Sequence, residues 1–251
     1  MYYKKKNITF YYEKHGTEEK TIIILPGWGN TSKTFTRIIN YFKNNYSIII
    51  FDYPGFGKSP EPNKILTIYD YAEIIATFIK EKNITNPTII AHSFGGRITA
   101  LLSKYNLNIK KIILMDVAGI KRKKTLKIFL KEKIYKILKL LTNIFPQKYK
   151  KHFQKKLFDK FSSTDYQTLT PIMQKTFQNI IHEDLTNYYQ KIKAETLILW
   201  GENDRDTPLI DGYLLEKTIP NSALIVFKNA SHYSYLDYPY ETILILKSFI
   251  K

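Results

Sequence analysis

The sequence predicts an α/β protein: a mostly parallel sheet with helices on both faces, interrupted by one helical insertion. Three observations carry this. Six short β-branched runs are apolar almost throughout rather than alternating, as in strands buried on both faces. Helical stripes with a 3.6-residue period fill most of the gaps between them. From Val117 to about Lys193 there is no good buried run, only helical patterns and polar loops.

The chain begins differently from the rest. Ile8, Phe10 and Tyr12 alternate with polar residues, and His15-Gly16 then turns the chain toward Thr21. This reads as an antiparallel hairpin at one end of the sheet. The buried runs follow at 21–25, 47–51, 88–91, 111–115, 196–200 and 223–227. Between them, 67–82 places Ile68, Tyr71, Ala72, Ile75, Phe78 and Ile79 on one helical face, and 95–105 and 240–250 read similarly. The expected organisation is a core of 1–117 with 194–251 and a helical cap of 118–193. There is no internal repeat and no low-complexity linker.

Composition narrows the class. The 251 residues are 44% hydrophobic and include no cysteine, which excludes intrinsic disorder, a disulfide scaffold, a thiolate nucleophile and any Cys-ligated zinc. No run of 18 apolar residues is present, and the start, MYYKKKNITFYY, lacks the apolar stretch of a secretory signal, so a soluble cytoplasmic protein is expected. The net charge is +17, yet only Arg37, Arg97, Arg122 and Arg205 among 39 basic residues are arginine. Abundant Lys, Ile, Asn and Tyr with little Ala suits an AT-rich genome as well as a selected basic surface. Position is more telling. Residues 121–160 hold 15 basic and 2 acidic side chains, a net +13.

The chemistry centres on Ala91-His92-Ser93-Phe94-Gly95-Gly96, between a buried strand and a helix. A serine on such a turn projects its hydroxyl at the carboxyl edge of the sheet, provided that its neighbours at −2 and +2 are small. Ala91 and Gly95 meet that need. A serine hydroxyl needs a base, and the base needs a carboxylate to orient it. His232, after the last buried run, supplies the first. Asp204, after the preceding run, supplies the second, with Asp206 and Asp116 as alternatives. A tetrahedral intermediate also needs oxyanion donors. The backbone amides of Phe94 and Trp28 are expected to provide them, Trp28 lying in Leu25-Pro26-Gly27-Trp28-Gly29.

The strings LPGWG, DYPGFGKS, AHSFGGR, WGENDRDTP and NASHYSYLDYP together resemble the α/β-hydrolase superfamily, in its esterase-like branch with a helical cap. They span almost the whole chain outside the insertion. The resemblance implies a mostly parallel eight-stranded sheet with helices on both faces, a Ser-Asp-His triad and no metal or organic cofactor. The PGWG loop is similar to the HGWG loop of pimeloyl-ester esterases, with Pro26 where that family more often has His. Dehalogenases and epoxide hydrolases carry Asp at the nucleophile position, and Ser93 argues against both. The expected enzyme is a serine hydrolase acting on a small or medium, mostly apolar ester or acyl compound. Carbon–carbon hydrolysis of dienoates and a slow-turnover ligand receptor are the alternatives. Activity should fall below about pH 6.5, where an unperturbed imidazole becomes charged.

Other residues have plainer readings. Asp52 and Gly55-Phe56-Gly57 build a tight loop, His92 points away from the nucleophile, and His15 sits in a surface turn. His152 and His182 lack enough neighbouring ligands for a metal site. The GWGNTS string has neither GxGxxG nor GKS/T spacing and so is no phosphate loop. Leu126, Leu130, Ile134, Ile137, Leu138 and Leu141 form one stripe of a lysine-rich helix. The first reading is a cap helix with solvated lysines. The second is attraction of an anionic substrate or an acidic carrier protein, and the third is contact with an anionic membrane surface. No nucleic acid partner is expected, for want of a recognition motif.

Overall fold

Continuous apolar runs demand two buried faces, and the computed structural model supplies them. It describes residues 1–121, 126–144, 146, 149–150, 153–154, 156 and 164–251. The strands are β1 (Tyr2–Lys5), β2 (Ile8–His15), β3 (Thr21–Leu25), β4 (Ser47–Asp52), β5 (Thr88–His92), β6 (Lys111–Met115), β7 (Glu195–Gly201) and β8 (Ser222–Phe227). They form one eight-stranded sheet in the order β1-β2-β4-β3-β5-β6-β7-β8. The β1–β2 and β2–β4 pairs are antiparallel and all others are parallel.

Alternate side chains of each central strand enter opposite layers. Ile23, Leu25, Ile89, Ala91, Ile198 and Trp200 pack with α2 (Ile68–Glu81) and α3 (Phe94–Leu102). Ile22, Ile24, Ile90, Met115 and Leu199 pack on the other side with α1 (Thr36–Phe42) and the C-terminal helix Pro239–Ile250. Because β3 and β5–β8 run the same way, the loops after Leu25, His92, Met115, Gly201 and Phe227 all open at one sheet edge.

The hairpin differs from the sequence reading. Its turn is Lys6-Asn7, with φ of 48° and 61°, rather than His15-Gly16. A two-residue hairpin of type I′ requires positive φ at both central positions, and Asn adopts it readily. Gly16 instead carries the chain out of β2 toward β3, which lies beyond β4. The edge strand β1 bears Lys4 and Lys5, charges that discourage edge-to-edge pairing.

Chain contacts define two compact units, 1–121 with 178–251, and 122–177. The second unit contains α4 (Leu126–Leu141), a helical turn Thr164–Gln167 and most of α5 (Pro171–Ile181). Along α4, Leu130, Ile134, Ile137 and Leu141 are exposed. Of the basic residues counted in 121–160, Arg122, Lys123, Lys124, Lys148, Lys151, Lys155 and Lys160 lie outside the described residues, as do Asp159 and His152. Among the described residues no helix is long and apolar enough to cross a membrane.

Helix α2 begins at Ile68, the first residue of the apolar stripe and one residue inside the expected range, because Thr67 caps it. Thr67 Oγ1 accepts from the Asp70 amide (3.2 Å) and Asp70 Oδ2 accepts from the Thr67 amide (2.8 Å), a capping box. Thr67→Ala should therefore lower unfolding free energy by about 1 kcal/mol. Urea denaturation checks this, and an unchanged midpoint contradicts it.

Candidate active site

Ser93 sits between β5 and α3 with φ +47°, a conformation that costs a non-glycine residue about 1–3 kcal/mol unless its surroundings impose it. The surroundings do. The Ser93 amide donates to the Met115 carbonyl (3.2 Å), and the Ser93 carbonyl accepts from the amides of Gly96 (3.0 Å) and Ala118 (2.9 Å). At the +2 position, a Cβ on Gly95 would lie 1.9 Å from the Leu25 carbonyl oxygen, so only glycine fits. Ala91, at −2, is fully buried.

Two later loops meet this serine. His232, after β8, places Nε2 2.9 Å from Ser93 Oγ. Its Nδ1 lies 2.8 Å from Asp204 Oδ2, in the loop after β7. A carboxylate only accepts, so Nδ1 carries the proton and Nε2 presents a lone pair to the Ser93 hydroxyl. Asp204 Oδ1 accepts from the amides of Asp206 (2.8 Å) and Thr207 (2.9 Å), and Oδ2 accepts from Thr207 Oγ1 (2.7 Å). Burial works against the Asp204 charge, but the hydrogen bonds of His232 and Thr207 outweigh it, and the carboxyl pKa lies below its ordinary value. Burial likewise works against a charged His232. The hydrogen bond and charge of Asp204, with help from Asp206 and Asp116, outweigh it and raise the imidazole pKa above the usual 6.5.

The structure thus brings Ser93, His232 and Asp204 into one hydrogen-bonded chain. The alternative acids stand elsewhere. Asp206 gives Asp204 its backbone amide. Asp116 accepts from the amides of Gly201 (2.7 Å) and Ser234 (3.1 Å) and from Ser234 Oγ (2.5 Å), and burial still pushes its carboxyl up to about 7. Asp116 therefore braces the loops that carry Asp204 and His232 rather than touching the imidazole. Neither this brace nor Thr207 was anticipated from sequence. Thr207 had a readable signal, since Asp204-Arg205-Asp206-Thr207-Pro208 has the composition of an Asx turn. The Asp116 brace had none, because its partners are 85 and 118 positions away.

Of the two residues expected to donate amides, Phe94 follows Ser93 directly and Trp28 packs against Phe94. Phe94 is the first residue of α3, so its N–H has no intrahelical acceptor. The Trp28 ring packs edge-to-face on the Phe94 ring (centroids 5.2 Å apart) and on Phe56 (5.0 Å). Asp52 serves its own loop, accepting from the Lys58 amide (2.9 Å) and, through its carbonyl, from Ser59 Oγ (2.5 Å). His15 pairs with Glu13 (3.1 Å), and His182 is exposed. Asp204, Asp206 and His232 are the one group of three metal-ligand types with clustered donor atoms among the described residues, and two of them already bond each other. A cavity of about 680 Å³, lined by Ser103, Lys110, Ile112, Lys193 and Glu195, lies at the opposite end of the strands from Ser93.

A mostly parallel sheet with a serine on a strained turn and an acid-oriented histidine over the same edge defines an α/β-fold hydrolase. The family model for the alpha/beta hydrolase fold matches residues 20–239, and the chain belongs to that family. It is 27% identical to a pimeloyl-[acyl-carrier protein] methyl ester esterase of Wigglesworthia glossinidia brevipalpis, covering 96% of this chain and 98% of the relative. It is 24% identical to a 2-hydroxy-6-oxononadienedioate/2-hydroxy-6-oxononatrienedioate hydrolase of Escherichia coli K12, covering 91% and 86%. Among solved structures, an esterase from Exiguobacterium antarcticum superposes with a TM-score of 0.74 at 23% identity, over 97% of this chain and 96% of the other, a likeness of fold. The protein is a hydrolase.

The raised imidazole pKa is directly measurable. In NMR titration His232 should titrate above 6.5, and Asp204→Asn, which removes both the acceptor and the charge, should move it down. A His232 that titrates identically in the two proteins contradicts this electrostatic reading.

Proposed function

We propose that this enzyme cleaves a small or medium, mostly apolar carboxylic ester through an acyl-serine intermediate. The observation that carries the reading is the hydrogen-bonded chain from Asp204 through His232 to Ser93. Ser93 Oγ attacks the ester carbonyl carbon while His232 Nε2 takes its proton. Asp204 holds the imidazole tautomer and stabilises the imidazolium. The amides of Trp28 and Phe94 hold the oxyanion in both steps: His232 protonates the departing alcohol, then deprotonates the water that attacks the acyl-serine carbonyl and returns that proton to Ser93 Oγ as the acid leaves. The protein's own groups complete this cycle without a metal or organic cofactor.

The inserted unit is proposed to select the substrate. Its net charge of +13 over 121–160 and the likeness to a relative named for a carrier-protein ester favour an anionic acyl substrate or one borne on an acidic carrier protein. The likeness to a dienedioate hydrolase supports a second reading, in which the same triad cleaves a carbon–carbon bond.

Ser93→Ala should reduce ester turnover by about 10⁴-fold or more, and parent-like hydrolysis of a p-nitrophenyl ester by that variant contradicts the mechanism. His232 must be neutral to accept the serine proton, and its pKa is raised. The rate of the parent should therefore fall with decreasing pH at a midpoint above 6.5, and a rate still maximal at pH 5.5 would contradict the base assignment. Product analysis across esters and dienoates separates the two readings. For anionic acyl substrates kcat/KM should drop with added salt, since screening shortens the reach of the lysines; salt-independence removes the recruiting role.

A further inference from the structure

His92 adjoins the nucleophile but takes no part in the proton chain. Its ring is fully buried, with no exposed surface. Nε2 lies 2.9 Å from the backbone carbonyl oxygen of His232. That oxygen only accepts, so Nε2 carries the hydrogen and donates it, leaving Nδ1 with a lone pair. Nδ1 is buried and has no hydrogen-bond partner among the described residues. It faces the backbone of the 26–29 loop, because a Cβ built on Gly27 would come within 2.8 Å of it. The rings of His232 (5.0 Å), Tyr233 (4.9 Å) and Tyr235 (5.1 Å) surround the imidazole. Burial drives its pKa down to about 3, so it stays neutral wherever the enzyme works.

We infer that His92 is a positioning residue: one buried imidazole that pins the His232 backbone through Nε2–H while its other edge supports the loop carrying Gly27 and Trp28. The inference rests on the serine-hydrolase reading of the site. The logic is mechanical. Ser93 follows His92 directly, so the ring is anchored on the rigid end of β5. His232 lies on a loop, where a misplacement of about 1 Å can cost about 100-fold in rate. Tethering its own carbonyl to the residue before the nucleophile fixes the base relative to the hydroxyl that it must deprotonate. Pro26 has no amide hydrogen to anchor the facing loop, which is held by the Asn30 amide donating to the Gly27 carbonyl (3.1 Å), by Asn30 Nδ2 donating to the Tyr233 hydroxyl (3.4 Å), and by the buried ring packed beside Gly27.

Gln and Met have nearly the same shape and reach, but only Gln keeps a donor near the place of Nε2. In His92→Met, kcat per active site titrated with a fluorophosphonate should fall about 10- to 100-fold while KM stays within about twofold. His92→Gln should recover to within about threefold of the parent. Counting titrated sites removes any loss of folded protein from the comparison. A Met variant equal to the parent per site, or a Gln variant as impaired as Met, overturns the proposal. If instead the parent lacks turnover that depends on Ser93, the reading of the site fails and not His92 alone. A measurement on the unmodified protein serves if the Met variant does not fold. The ¹⁵N spectrum of histidine-labelled parent should show His92 as a neutral Nε2–H tautomer throughout pH 5–9, and an Nδ1–H tautomer or a titration in that range overturns the tether.

Discussion

The site depends on one steric constraint: the backbone at Ser93 must turn from strand to helix within a single residue. The left-handed conformation there is imposed from three sides, by hydrogen bonds from Gly96 and Ala118, by the Met115 carbonyl, and by the Leu25 carbonyl against the bare Gly95. Apart from the Gly96 bond, which comes from the helix that Ser93 begins, each of these contacts comes from a neighbouring parallel strand or the loop that leaves it. The sheet thus does more than bury apolar surface. Its register sets where the serine hydroxyl points, and its common strand direction gathers the loops of Asp204 and His232 over the same edge.

Electrostatics then separates two acids that stand close to the same imidazole. Asp204 collects the Thr207 hydroxyl, two backbone amides and the His232 N–H, and its charge is stabilised despite burial. Asp116 is more deeply enclosed, and its donors do not offset the loss of water. One carboxyl is therefore suited to stabilise an imidazolium and the other to tie together the ends of β6 and β7 and the residue after Tyr233. His92, neutral for want of solvent, complements them by holding the His232 backbone carbonyl.

Much of this was legible in the sequence, for reasons that are local. Ile22 to Leu25 and Ile48 to Phe51 announce two-sided burial because a parallel strand has no solvent face to encode. Ser93 is legible through its small neighbours, and Asp204 and His232 through their places just after apolar runs. The hairpin turn was misplaced because His15-Gly16 has the familiar turn composition, whereas Lys6-Asn7 reaches positive φ without glycine. Asp204 was preferred over Asp206 and Asp116 from its place alone, and the hydrogen bonds now separate the three: only Asp204 bonds the imidazole, at 2.8 Å. The His92 tether was invisible in the sequence: its partner is 140 positions away and is a carbonyl, a group every residue has.

The central claim is that Asp204 and His232 make the Ser93 hydroxyl nucleophilic. Intact-protein mass spectrometry after brief exposure to a fluorophosphonate tests it most directly. The account predicts a single adduct, mapped to Ser93, that forms rapidly in the parent and fails to form on the same timescale in His232→Ala. An adduct on another residue, or equal labelling of Ser93 without the imidazole, would contradict it.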